Sequence, residues 1–133
     1  MRIYLAYRFS GADKKVLREQ LEKISQALTD AGHEPFIFCR DVQNWGEDTI
    51  TKEEVIKACL PEVEKSDAFF IFLNNEEKSE GMLIETGFAR AKNKKIILAI
   101  KKGISQHWLP HLAEIVIEFE NIEDLQNKIK ENL

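Results

Sequence analysis

The sequence predicts an α/β domain of three layers, Rossmann-like or flavodoxin-like, with a five-stranded parallel sheet in the order 2-1-3-4-5. Two observations carry this. Arg2 to Ala6, Asp67 to Leu73 and Lys94 to Ile100 contain nearly continuous apolar runs, the pattern of strands covered on both faces. Between such runs lie segments with apolar residues at helical spacing, and strict alternation of the two implies parallel pairing with right-handed crossovers. A chain of 133 residues suits one domain, taken here as 1–133.

The first strand, Arg2 to Ala6, leads into Tyr7-Arg8-Phe9-Ser10-Gly11-Ala12-Asp13. Ser10 and Asp13 have capping-box spacing for the next helix, whose face is Val16, Leu17, Leu21, Ile24 and Leu28 and whose end is Gly32. Glu34 to Cys39 reads as the second strand, and Arg40 to Thr49 as a polar loop holding Asp41, Trp45 and Gly46. That Trp either packs a ligand or plugs the domain edge. Thr51 and Glu54 open a second helix through Val55, Ile56, Cys59, Leu60 and Val63, with Pro61 expected to kink or divide it. After the third strand, Asp67 to Leu73, a polar loop from Asn74 to Glu80 precedes a helix containing Glu85. The fourth strand is Lys94 to Ile100. Lys101 to Leu112 is a mixed loop or short helix, Glu114 to Phe119 an edge strand, and Asn121 the cap of a last helix.

Composition removes several classes of function. A net charge of −4 is wrong for a broad nucleic-acid-binding face. No apolar run could span a bilayer, and Met1-Arg2 is followed by too short an apolar stretch for a signal peptide, so the expected location is the cytoplasm with no membrane partner. Cys39 and Cys59 lie far apart in apolar segments, which suits buried free thiols. His107 and His111 are four apart but have no third ligand nearby, so no metal is expected. No cofactor is implied.

Chemistry concentrates at the carboxyl ends of strands one and three, which the expected order makes neighbours at the switch point. The Tyr7–Gly11 loop and the Asn74–Gly81 loop would face each other across one crevice. On one side, Arg8, Ser10 and Gly11 are suitable residues for an anion cradle at a helix start, or simply for a tight turn with a surface Arg. On the other, Glu85 lies about one turn into a helix capped by Ser79 or Glu80. The helix dipole favours its ionised form, which could act as a nucleophile; alternatively it balances the dipole and faces water.

Ile3-Tyr4-Leu5-Ala6, Ser66-Asp67 and Ser79-x-Gly81-x-x-x-Glu85-x-Gly87-x-Ala89 resemble the nucleoside 2-deoxyribosyltransferase family, including its hydrolytic branch, the 2'-deoxynucleoside 5'-phosphate N-hydrolases. The resemblance covers roughly residues 2–100. It implies that Glu85 attacks the anomeric carbon of a deoxyribosyl group and displaces the base, with a second base or water then taking the sugar. It also implies that Ser79, Gly81, Arg8, Ser10 and Gly11 hold the sugar or a 5'-phosphate. The partner would be a small nucleoside or nucleotide, and the active form a homodimer, with the Lys101–Trp108 loop, including Ser105, completing the site. Two positions depart from the family. Tyr7-Arg8 stands where Gly-Pro or Gly-Ser is usual, placing the bulk of Tyr7 at the cleft. Cys59 falls near the family's Asp, leaving proton delivery to the base without its usual carboxylate; Asp41 is the candidate substitute. A second, lesser resemblance, to TIR domains, rests on Ala6-Tyr7-Arg8, Gly32 before Phe36-Ile37-Phe38, and Asp41 to Gly46. It implies either an NAD-cleaving enzyme with Glu85 in the same role or a non-catalytic signalling module.

Overall fold

The computed structural model describes residues 1–105 and 108–133. Five strands, β1 (Arg2–Ala6), β2 (Glu34–Phe36), β3 (Ala68–Leu73), β4 (Lys95–Lys101) and β5 (Ile115–Phe119), form one sheet in the order β2-β1-β3-β4-β5. Every neighbouring pair is parallel. The helices are α1 (Lys14–Asp30), α2 (Phe38–Asp41), α3 (Lys52–Lys65), α4 (Glu80–Ala91) and α5 (Ile122–Asn132). Short 3-10 turns lie at Asn44–Gly46 and Leu109–His111.

Successive strand residues point to opposite faces, so each central strand feeds two cores. Ile3, Leu5, Phe70 and Phe72 pack with Leu21, Ile24, Leu125 and Ile129 of α1 and α5. Tyr4, Ala6, Phe69, Ile71 and Leu73 pack with Cys59 and Val63 of α3 and with Met82 and Ala89 of α4. All six β3 side chains are buried, the consequence of lying between two helix layers. Each such Phe or Leu contributes about 1.5–3 kcal/mol of burial, and truncating Phe70 to Ala would cost about 3–5 kcal/mol.

Three local expectations change. The second strand ends at Phe36, not Cys39. Ile37 becomes the N-cap of α2, its N–H donating to Asp41 Oδ2 at 2.9 Å, and the turn drops Phe38 into one core and Cys39 into the other. Ser10 does not cap α1: Asp13 does, accepting from the backbone N–H groups of Lys15 and Val16 at 3.1 Å each. Finally, α3 runs unbroken through Pro61. Pro61 and Lys57 are both exposed, so water can reach the Lys57 carbonyl that loses its helical donor. The Thr51–Glu54 capping box forms as expected.

Candidate active site

Tyr4 sits in the middle of β1 and points toward α3 and α4. Its ring stacks on Phe69 at 5.6 Å between centroids and lies 5.6 Å from Phe36. A phenol buried this deeply needs a hydrogen-bond partner. It finds one in Glu85: the Tyr4 hydroxyl donates to Glu85 Oε2. The helix delivers that carboxylate because Ser79 caps α4, accepting from the Met82 N–H at 3.2 Å, and because Met82, Thr86 and Ala89 bury the face that Glu85 flanks. Glu85 is therefore half-buried against the sheet and does not project into bulk water. The Cys59 thiol of α3 stands near it and donates to the Ile56 carbonyl at 3.6 Å.

Burial opposes the helix dipole at this carboxylate. Loss of hydration raises Glu85 from an ordinary 4.5 to about 7, and the Tyr4 hydrogen bond and the nearby Cys59 thiol offset that only in part. Burial likewise raises the Tyr4 phenol and lifts the Cys59 thiol to about 12. Both cysteines are free and buried.

The two loops at the switch point do meet. Arg8 Nη1 pairs with Glu77 Oε2 at 2.9 Å, and Asn74 Nδ2 donates to Gln20 Oε1 at 3.4 Å. A hollow of about 130 Å³ lies between them, lined by Arg8, Gly11, Asp13, Gln20, Asn74 and Asn75. Glu85 is not in its lining. Arg8 Nη1 also donates to the Ser10 carbonyl at 2.6 Å. Gly11 allows this packing: its φ is +77°, and a Cβ there would sit 2.9 Å from Arg8 Nη1. The anion cradle expected at the start of α1 is filled from within the chain, since the Asp13 carboxylate already takes the Lys15 and Val16 amides.

Tyr7 is partly buried on the α1 side, and its hydroxyl accepts from the Cys39 N–H at 2.8 Å. That bond holds the phenol toward α2. Asp41 is occupied by its own neighbourhood: the Ile37 N–H and the guanidinium of Arg40, which reaches Oδ1 at 2.9 Å. Gly81 has open space where a side chain would be. Trp45 lies under the Arg18 guanidinium, 5.0 Å from the ring centroid, and helps line a second hollow of about 250 Å³ with Phe9, Lys14, Lys15, Leu17, Arg18 and Cys39. His107 lies outside the described residues, as does part of the Lys101–Trp108 loop. Among the described residues no helix is long and apolar enough to cross a membrane.

Sequence reasoning missed Tyr4 as a functional residue, treating it as one more strand position. The available signal was a phenol in a run otherwise fully apolar, whose hydroxyl had to be satisfied by something across the layer.

A family model described as nucleoside 2-deoxyribosyltransferase matches residues 3–126. No curated protein sequence matches significantly. Among solved structures the chain is similar to a CMP N-glycosidase of Clostridium botulinum, with TM-score 0.74, 20% identity and 100% of both chains covered. It is similar also to a 2-deoxyribosyltransferase of Bacillus psychrosaccharolyticus, with TM-score 0.67, 23% identity, and 96% of this chain and 91% of that one covered. A third, the Leishmania mexicana 2-desoxiribosyltransferase, has TM-score 0.65 and 15% identity over 99% of each chain. At these identities the structural likeness speaks for the fold.

Proposed function

This chain belongs to the nucleoside 2-deoxyribosyltransferase family, and we propose that it breaks the N-glycosidic bond of a nucleoside or nucleoside 5'-monophosphate, with Glu85 as the nucleophile. The observation that carries this reading is the Tyr4–Glu85 hydrogen bond: a half-buried carboxylate held by a hydroxyl locked between aromatic rings. The bond fixes Oε2 and leaves Oε1 to approach the anomeric carbon. As the new C–O bond forms, the C–N bond breaks and its electron pair leaves with the base. Attack by water on the resulting glycosyl ester then frees the sugar, while attack by a second base would transfer it. With its carboxyl near 7, Glu85 is about half ionised at neutral pH, enough to supply the nucleophile.

Ser79, Gly81 and the Arg8–Gly11 loop are assigned to the sugar and any 5'-phosphate, with Tyr7 as a wall of the cleft. Asp41 is left out of the chemistry because its oxygens are already engaged. The test is incubation of the purified protein with deoxynucleosides, their monophosphates and NAD, followed by detection of free base. Release by the wild type and its loss in Glu85→Gln is the expected result; equal release by the two refutes the nucleophile assignment.

One observation favours a second reading, a nucleotide-binding module without turnover: the Cys59 thiol, which burial lifts to about 12, lies near the position of the family's Asp and leaves the base without that carboxylate. Ligand-dependent shifts in melting temperature without base release would support it.

A further inference from the structure

Arg8 is the cation in the lining of the hollow of about 130 Å³ between the loops that follow β1 and β3. Its side chain is only 15% exposed, and Nη1 lies where a Cβ on Gly11 would reach it. Its two polar contacts among the described residues run through that one nitrogen. Nη1 donates to the Ser10 carbonyl at 2.6 Å and pairs with Glu77 Oε2 at 2.9 Å. Nε is buried with no hydrogen-bond partner. A guanidinium offers a fork of donors that matches two oxygens of one anion. Glu77 meets only one nitrogen and leaves that fork unfilled.

The partner is weakly held. Glu77 is 73% exposed, and an ion pair with a member so open to water shifts an equilibrium by only about 1.5-fold to fivefold. Glu77 is also absent from the lining, so it neutralises Arg8 without filling the hollow. The other polar side chains there are the neutral amides of Gln20, Asn74 and Asn75, and Asp13, whose carboxylate already accepts from the Lys15 and Val16 N–H groups. The space is about ten times what one water needs. It therefore presents one buried cation and uncharged amides, with the cation's charge cancelled by a carboxylate that is easily displaced. A phosphate monoester, with a charge of about −1.5 to −2 at neutral pH and three acceptor oxygens, outcompetes a single carboxylate for such a guanidinium.

Building on the assignment of the Arg8–Gly11 loop to a 5'-phosphate above, we propose that Glu77 is an internal competitor for Arg8, a specificity-determining residue that a phosphate monoester displaces and a neutral nucleoside leaves in place. On binding, the Arg8 fork closes on two phosphate oxygens and the Glu77 carboxylate moves into water. No covalent bond changes. A singly charged anion gains little from this exchange, because it replaces a carboxylate of equal charge.

The experiment measures dissociation constants by calorimetry for inorganic phosphate, and for the common deoxynucleosides and their 5'-monophosphates. The nucleosides and nucleotides are titrated into chains carrying Glu85→Gln, so that the glycosidic bond stays intact. Glu77→Gln is expected to tighten inorganic phosphate and at least one monophosphate by about twofold to fivefold, and to leave the matching nucleoside unchanged. Adding Arg8→Gln is expected to abolish that gain. Monophosphate binding that is unchanged or weakened by Glu77→Gln overturns the competitor role and leaves the phosphate assignment of the loop standing. An equal gain for the nucleoside, or a gain that survives Arg8→Gln, also overturns it, since the substitution then acts through the loop and not through Arg8. A gain for inorganic phosphate alone overturns the link to a nucleotide and marks a site for the free ion. Failure of every chain to bind any monophosphate overturns the phosphate assignment itself. None of these readouts depends on base release, so the glycosidase reading stands or falls separately.

Discussion

Replacing Tyr4 by Phe removes one oxygen and leaves the stack on Phe69 and the contact with Phe36 in place, so the layer that holds Glu85 is preserved. What is lost is the hydroxyl that donates to the carboxylate. A hydrogen bond to a charged group contributes about 1.5–3 kcal/mol. With one pH unit equal to about 1.36 kcal/mol, its loss raises the Glu85 carboxyl, already near 7, by about one to two units. The direction follows from which form the bond stabilises: the Tyr4 hydroxyl donates to the ionised carboxylate, so removing it favours the protonated acid. If the ionised form is the nucleophile, the acid limb of the pH–rate profile for base release moves upward by that amount. At pH 7 the rate falls about five- to fiftyfold, and raising the pH recovers it. The assay is single-turnover base release between pH 5 and pH 10, roughly the range that brackets both limbs. An acid limb that stays in place, or moves down, refutes the claim that Tyr4 tunes Glu85. A rate deficit unchanged at every pH would show that Tyr4 positions the carboxylate without setting its charge.

The same carboxyl couples stability to pH. Its folded value lies above its ordinary one, about 7 against 4.5, so within that window the folded state binds more protons than the unfolded state. Stability therefore declines as pH rises from 4.5 to about 7 and levels off above, by at most about 3 kcal/mol because the group keeps some contact with water; urea titrations of wild type and Glu85→Gln should show a slope in the first that is missing in the second. Asp13→Ala should cost about 1 kcal/mol as a lost N-cap and also free the Lys15 and Val16 amides. Sulfate should then raise the melting temperature of that variant more than of the wild type, and an equal response would show that those amides are not an anion site. The chain is expected to self-associate through the exposed Trp108 and the neighbouring apolar Leu112 and Val116. Light scattering at micromolar concentration should report a dimer that Trp108→Glu dissociates, and a wild-type monomer would remove the idea.

The parts of this molecule that were legible in the sequence are those decided by neighbours along the chain or by burial on both faces. β3 could be read because lying between two helix layers leaves it no polar position, and the Thr51–Glu54 box because its partners are three residues apart. The end of β2 could not, since Ile37, Phe38 and Cys39 are all buried, whether as strand or as a turn that sends two of them into opposite cores. The location of Glu85 was similarly open to reading from the Ser79 cap, while its protonation was not. The helix dipole acts locally, but the group that opposes the burial cost lies 81 residues away on β1, and the burial itself comes from the packing of α3, α4 and the sheet. The cradle at α1 was misjudged for a related reason: a sequence shows that amides open a helix, not which carboxylate of the same chain reaches them first. Charge state at this site is thus a property of contacts across layers. That is why changing Tyr4, a strand residue with no acid–base role of its own, should move the pH at which Glu85 works.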